Sequence, residues 1–384
     1  MILDEENEIN TNIRKFIKKN FLISEENLIF EKERIEGMTN KNFHVKFYDK
    51  TVPDKKYEIL YKKYGNILDL SDHRLELCII DYYSKQNEGP KALFTAENYR
   101  IEEYIKSPKI IPLELRYNNI ILGQIYHILA NYTLISNVYK YSISPDLQIE
   151  SFIKYDKEEK TEFYPIFQHY EKMLKKSKEK YNIFITKFNE YFSKNQIDEK
   201  LKKIKDKYDY YIQNQRKIFM SLFPRKGFFV LCHNDCQRWN FIYRDLNKKL
   251  SYIDHEYACY CLPGLDLCNY MNENSFYFYD DGSYEFKKNE IDFDFYYDCY
   301  KKYVEEFFKT NQEWINREEN KEFAELIKTR NYYILLHSIN NMFWFLFCVF
   351  HLDFEKEIIK KTGHFFEYGY DRLCYAELAQ NSIK

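Results

Sequence analysis

The sequence predicts an α+β protein in two lobes, a small antiparallel β-rich lobe to about Ile105 and a large, mostly helical lobe over residues 106–384. Three observations predict it. Early in the chain apolar and polar residues alternate in short runs, as at Phe43, Val45 and Phe47. Later the apolar residues recur at helical spacing, as at Phe184, Phe188 and Phe192. Between Leu231 and Glu273 lies a polar loop flanked by apolar strand-like runs, with Asp235, four residues, Asn240, and then Asp254 after a hairpin. A chain of 384 residues is long enough for one large domain or for two lobes that share a cleft.

The elements follow in order. Ile9, Ile13, Phe16 and Ile17 give 9–21 a helical face, expected to pack outside the small lobe. A turn over Ile35-Glu36-Gly37-Met38-Thr39-Asn40 leads into the first alternating strand, and Pro53-Asp54-Lys55-Lys56 turns into a second, Tyr57 to Tyr64. Ser71 can cap a helix to Ser84, with Leu75, Ile79 and Tyr82 on one side. A short strand spans Ala92 to Ala96. Pro108 and Pro112 interrupt the chain before a helix from Leu115 to Thr133. From Lys154 to Met220 the chain is rich in Lys and Glu, which predicts amphipathic helices with solvated charged faces, in a coiled-coil-like hairpin. Phe228 to Leu231, Phe241 to Tyr243 and Leu250 to Ile253 are the strands around the polar loop.

Composition excludes several classes of function. Charged residues are 31% of the chain yet the formal net charge is -2, whereas a nucleic-acid binder should be clearly basic. Nine cysteines, an odd number without a CxxC pair, fit a reducing compartment better than a disulfide scaffold or a zinc site. The acidic start lacks the apolar stretch of a signal peptide, and Met342 to Phe350 is about half of the ~18 residues that mark a membrane span. A cytoplasmic protein without a transmembrane segment is expected. No GxxxxGK[ST] occurs, which argues against a P-loop enzyme.

The loop points to phosphoryl transfer. Such a site needs a carboxylate to take the proton of an attacking hydroxyl and an amide oxygen on the same turn to hold Mg²⁺. Asp235 and Asn240 offer that pair. A second carboxylate must reach the ion from the next strand end, because Mg²⁺ takes hard oxygen ligands shared with the phosphates of ATP. Asp254 is placed for this, with Glu256 as a helper. Asp and Asn five apart would mean little alone in a chain so rich in both; the ordered combination with His233, the strands and Asp254 carries the reading. A cation on the second strand and a Glu on the following helix complete a phosphate site. Lys62 and Glu76 fit, while alternation sends Lys63 to the opposite face with Ile59 and Tyr61.

The runs HNDCQRWN (233–240), IDHEY (253–257) and GLDLCNYMNE (264–273) resemble the choline/ethanolamine kinase family, relatives of the aminoglycoside phosphotransferases within the protein-kinase-like fold. The resemblance implies that Thr39 and Asn40 face the nucleotide phosphates, although the loop has one glycine where several are usual. It places backbone groups near Glu103 and Ile105 against adenine, and Gln237, Glu273, Phe278, Trp344 and Tyr368 around the amino alcohol, whose hydroxyl Asp235 holds. Asp266 is a brace of the catalytic loop, and a homodimer is implied. Several positions depart from the family: Asn341 and Asn274 stand where tryptophans are usual, Phe278 replaces a Tyr, and Arg238 and Trp239 are atypical. The expected reaction is ATP-dependent phosphorylation of choline to phosphocholine, the first step of the CDP-choline route to phosphatidylcholine. Ethanolamine is the alternative acceptor. Behind both stand an aminoglycoside-type phosphotransferase and a catalytically dead nucleotide-binding module.

Overall fold

The computed structural model describes residues 2–35, 40–65, 73–105, 109–132, 165–222, 230–244, 249–279 and 283–383. Backbone contacts divide the chain into two units, residues 1–109 with 242–253, and residues 110–241 with 254–384.

The first unit is built on a five-stranded antiparallel sheet of β1 (Leu28–Ile35), β2 (Lys41–Asp49), β3 (Lys56–Lys63), β4 (Ala92–Thr95) and β5 (Tyr99–Glu103), in the order β1-β2-β3-β5-β4. Alternation turns Val45, Phe47, Ile59, Tyr61 and Ile101 to one face, where they meet Ile9, Ile13, Phe16 and Ile17 of α1 (Ile2–Phe21) in a single buried cluster. Side chains of this size contribute about 1.5–3 kcal/mol each when fully buried. The first helix therefore builds the core of this unit instead of lying outside it. It ends at Leu22, whose backbone is left-handed (φ 57°), the usual way to stop a helix. In α2 (His73–Lys85) the buried residues are Leu75, Glu76, Ile79, Ile80 and Tyr83, so the inward stripe passes through Tyr83 and not Tyr82. The expected cap Ser71 lies outside the described residues.

The second unit is helical. A 3-10 turn over Leu113–Leu115 precedes α3 (Asn119–Tyr132), which starts later than the periodicity implies because Asn118 caps it, its Oδ1 accepting from the Ile120 amide at 2.9 Å. Two long helices follow, α4 (Pro165–Phe192) and α5 (Glu199–Leu222). Both are amphipathic, and they touch one another, the Tyr181 hydroxyl donating to Asp209 Oδ1 at 2.8 Å. Their aromatic faces turn toward α8 (Arg330–Phe350) and α9 (Phe365–Gln380): Phe184 packs on Phe366 at 5.0 Å between ring centroids, and Tyr208 on Phe345 at 4.9 Å. Helix α8 is the centre of the unit and is buried on nearly all sides. It is the one helix among the described residues long and apolar enough to cross a membrane, and 83% of its apolar window is buried inside the protein, as expected of a core helix. Thr329 caps it by accepting from the Tyr332 amide at 3.2 Å.

The elements around the polar loop and beyond it include β6 (Val230–Cys232), β7 (Phe241–Arg244), β8 (Lys249–Tyr252), β9 (Cys259–Cys261), α6 (Leu265–Glu273), the hairpin β10 (Phe276–Phe278) and β11 (Tyr284–Phe286), and α7 (Phe293–Thr310). Strands β6 and β9 pair antiparallel with Cys232 opposite Cys259. All nine cysteines are free thiols.

Candidate active site

The polar loop begins where β6 ends. Asp266, in the first turn of α6, accepts from the backbone amides of His233 (2.7 Å) and Asn234 (2.8 Å). Asp266 is thus tied to the loop as a brace. Gly264 makes this possible: its φ is +88°, and a Cβ there would lie 2.5 Å from Tyr300 Cε2, so only glycine lets α6 start in this place. Asn234 is itself left-handed (φ 63°), a conformation Asn tolerates. Its Nδ2 donates to the Tyr257 carbonyl at 3.0 Å, which fixes the turn that presents Asp235.

Asp235 is buried, 7% exposed, yet both carboxylate oxygens are engaged. Gln237 Nε2 donates to Oδ1 at 3.0 Å and to Oδ2 at 3.1 Å; Asn240 Nδ2 donates to Oδ2 at 2.9 Å and to the Asp235 carbonyl at 2.8 Å. Burial raises the Asp235 pKa to about 7, helped by the charges of Glu273 and Asp254 and opposed by the two amides. A carboxylate with that proton affinity is suited to act as a base near neutral pH. With Nδ2 committed to Asp235, Asn240 keeps its carbonyl oxygen as an acceptor.

Asp254 follows β8 with a left-handed backbone (φ 65°) and opens the 3-10 turn that carries the buried Glu256. The side-chain oxygens of Asn240, Asp254 and Glu256 are hard donors of the kind Mg²⁺ takes. Among the described residues no three His, Cys, Asp or Glu side chains form a closed metal site.

Glu273, Phe278, Trp344 and Tyr368 come together, and at their centre stands an arginine that the sequence did not single out. Arg372 is 1% exposed and its Nη2 donates to Glu273 Oε1 and to the Tyr368 hydroxyl. Its Nη1 donates to Asn341 Oδ1 at 3.2 Å. The guanidinium lies 4.4 Å from the Phe276 ring centroid, 4.8 Å from Tyr368 and 6.0 Å from Trp344. Phe278 packs on Tyr368 at 5.5 Å. Gln237 belongs with Asp235 instead, bonded to both its oxygens.

In the first unit Lys62 and Glu76 are both buried, with Nζ 3.9 Å from Oε1. Lys63 points to the other face, where it pairs with Glu8 (3.0 Å) and Glu5 (3.3 Å) of α1. Arg100, opposite Lys62 in the β3–β5 ladder, also reaches Glu76, Nη1 to Oε2 at 2.6 Å, and pairs with Glu102 through Nε. Burial opposes its charge, but Glu102 and Glu76 outweigh that and hold the guanidinium protonated. Asn40 Oδ1 accepts from the Gly65 amide at 3.1 Å. Thr39 lies outside the described residues. The Glu103 amide donates to the Lys91 carbonyl at 2.8 Å.

Arg100 and Arg372 are thus the charged residues the sequence reasoning missed. A signal existed for each. Arg100 and Glu102 flank apolar Ile101 on a strand, which puts both charges on the face opposite the α1 core. Arg372 follows Tyr368 by one helical turn.

An antiparallel sheet unit with a buried Lys–Glu pair, and a helical unit whose loop sets out Asp, Asn and a second Asp, define a kinase-like fold. The sequence profile described as Choline/ethanolamine kinase matches residues 32–376, and the chain belongs to that family. Its fold is similar to the crystal structure of choline kinase from Cryptosporidium parvum Iowa II, with a TM-score of 0.60 and 18% identity over 97% of this chain and 95% of that one. It is also similar to a Plasmodium vivax ethanolamine kinase, with a TM-score of 0.52 and 18% identity over 90% and 82% of the two chains. A curated relative, the probable ethanolamine kinase A of Dictyostelium discoideum, is 41% identical over 64 residues, which span 17% of this chain and 18% of that protein.

Proposed function

We propose that this protein transfers the γ-phosphoryl group of ATP to the hydroxyl of a small amino alcohol, giving a phosphomonoester and ADP. The observation that carries the proposal is Asp235: a buried carboxylate, bracketed by Gln237 and Asn240, that holds its proton up to about pH 7. Asp235 orients the acceptor hydroxyl and takes its proton as the phosphoryl group arrives. Asn240 and Asp254, with Glu256, would hold Mg²⁺ against the phosphates. When bound, the ion supplies positive charge to the phosphoryl oxygens. Lys62, steadied by Glu76, neutralises the α and β phosphates, with Thr39 and Asn40 on the phosphate loop and the Ile105 amide on adenine.

Choline is the acceptor favoured by the gathering of Phe276, Phe278, Trp344 and Tyr368 beside Glu273, because a quaternary ammonium is recognised by aromatic faces and a carboxylate. Ethanolamine is the second reading, favoured by Asn341 and Asn274 standing where tryptophans are usual, which thins the aromatic wall that a quaternary ammonium needs. ADP release by the purified protein with Mg·ATP and choline, ethanolamine or no acceptor tests both. Release that depends on one of the two acceptors is expected; equal release with and without acceptor would overturn the proposal.

A further inference from the structure

The charged groups of the amino-alcohol region do not add up to a lone carboxylate waiting for a cation. Glu273 is already paired: Oε1 accepts from Arg372 and, at 3.4 Å, from Asn269 Nδ2. Among the described residues its other oxygen, Oε2, accepts only from the Tyr368 hydroxyl at 3.4 Å, at the long limit of a hydrogen bond. The two oxygens of one carboxylate are therefore unequal, and Arg372 makes them so.

Arg372 is itself held from three sides. Asn341 on α8 takes Nη1, Glu273 at the end of α6 takes Nη2, and the rings of Phe276 and Tyr368 cover the guanidinium. A planar fork with donors in fixed directions can bridge Asn341 and Glu273 at once, which a lysine ammonium on a flexible stem cannot do in the same geometry. Asn341 thus has a task at a position where an apolar ring could not accept a hydrogen bond.

We infer that Arg372 is a positioning residue for the acceptor: it fixes the orientation of the Glu273 carboxylate, with Oε1 committed to the guanidinium and Oε2 left for the substrate cation, and Asn341 is the strut that sets its direction. The inference rests on the amino-alcohol kinase reading. Its energetic logic is that a carboxylate brought near apolar rings keeps its charge only if paired, and recognises a second cation only if one oxygen stays accessible. Tyr368 joins the two functions, since its hydroxyl meets Arg372 and Glu273 and its ring covers the guanidinium.

The test is steady-state kinetics on the full chain with Mg·ATP and with choline and ethanolamine as acceptors, comparing wild type, Arg372→Met, Arg372→Lys, Asn341→Ala, Glu273→Gln and the double variant Arg372→Met/Glu273→Gln. Arg372→Met is expected to raise the acceptor KM by roughly tenfold or more, while the KM for ATP and kcat stay within about twofold. Arg372→Lys should recover part of that loss, and Asn341→Ala should raise the acceptor KM by about threefold in the same sense. Because Arg372 acts through Glu273, Arg372→Met should add almost nothing in the Glu273→Gln background. Additive losses, or a fall in kcat with the acceptor KM unchanged, would mean a merely structural arginine and overturn the inference. A lowered KM in Arg372→Met would overturn it too, since Arg372 would then compete with the substrate. If Arg372→Met does not fold, Arg372→Lys and Asn341→Ala decide by the same KM criterion. A wild type without acceptor-dependent turnover removes the kinase reading and this inference with it, whereas an active wild type with indifferent Arg372 variants removes the inference alone.

Discussion

Arg100 Nη1 lies 2.6 Å from Glu76 Oε2, nearer than Lys62 Nζ, which is 3.9 Å from Oε1 of the same carboxylate. Glu76 is therefore shared by two buried cations, and the arginine is its tighter partner. Arg100→Met should leave Glu76 and Glu102 undercompensated and destabilise the protein by ~3–5 kcal/mol, the range for breaking a buried pair from one side. Urea unfolding checks this; a loss below about 1 kcal/mol would mean that Lys62 alone suffices.

The two adjacent lysines should part company. Lys62 is buried beside Glu76, whereas Lys63 is a partly exposed partner of Glu5 and Glu8. Lys62→Met is expected to cut kcat/KM for ATP by roughly 100-fold or more, as loss of a phosphate-binding cation does. Lys63→Met should leave kcat/KM unchanged and cost at most ~1 kcal/mol of stability. Equal effects of the two variants would contradict the division of faces.

Asp235 sets an acidic limb in the pH profile. Its pKa is raised to about 7, and the base must be ionised, so kcat/KM for Mg·ATP turnover should fall as pH drops through about 7. Asp235→Asn should lower kcat by about 100-fold or more while ATP binding, read by calorimetry, is retained. A flat profile between pH 6 and 8 would remove the limb from Asp235.

Asp266 should matter for stability. Its removal in Asp266→Ala leaves the buried amides of His233 and Asn234 without their acceptor, at a cost of ~2–4 kcal/mol. The pKa is raised by burial to about 6 despite the two amide bonds. Since an unfolded Asp titrates near ~3.9, the folded state binds the proton more tightly, and this group's contribution to stability falls as pH rises from about 4 to about 6. Unfolding curves of wild type and variant across that window should converge or diverge accordingly; a wild-type contribution that grows with pH would contradict the assignment.

Much was legible in the sequence where the determinants are local. The strands carrying Val45, Phe47, Ile59 and Tyr61 follow from alternation, and α1 from the spacing of Ile9, Ile13, Phe16 and Ile17. The loop from His233 to Asn240 was legible because its bonds join residues a few positions apart, as Gln237 and Asn240 do with Asp235. Less legible was the packing of α4 and α5. Their periodicity marks an apolar face without saying which surface covers it, and α8 and α9 take that place.

By itself the sequence determined the spacing that sets Asp235, Asn240 and Asp254 within one loop and hairpin, since short segments leave few ways to close. Only the tertiary structure decided the partners of Glu76 and Glu273. Glu273 meets an arginine 99 positions away, and Glu76 meets one on a different element, Arg100 on β5. A carboxylate buried near apolar rings demands a cation, but its own neighbourhood in the chain does not say which. That choice falls to the side chain whose reach and direction the packed helices and strands happen to supply.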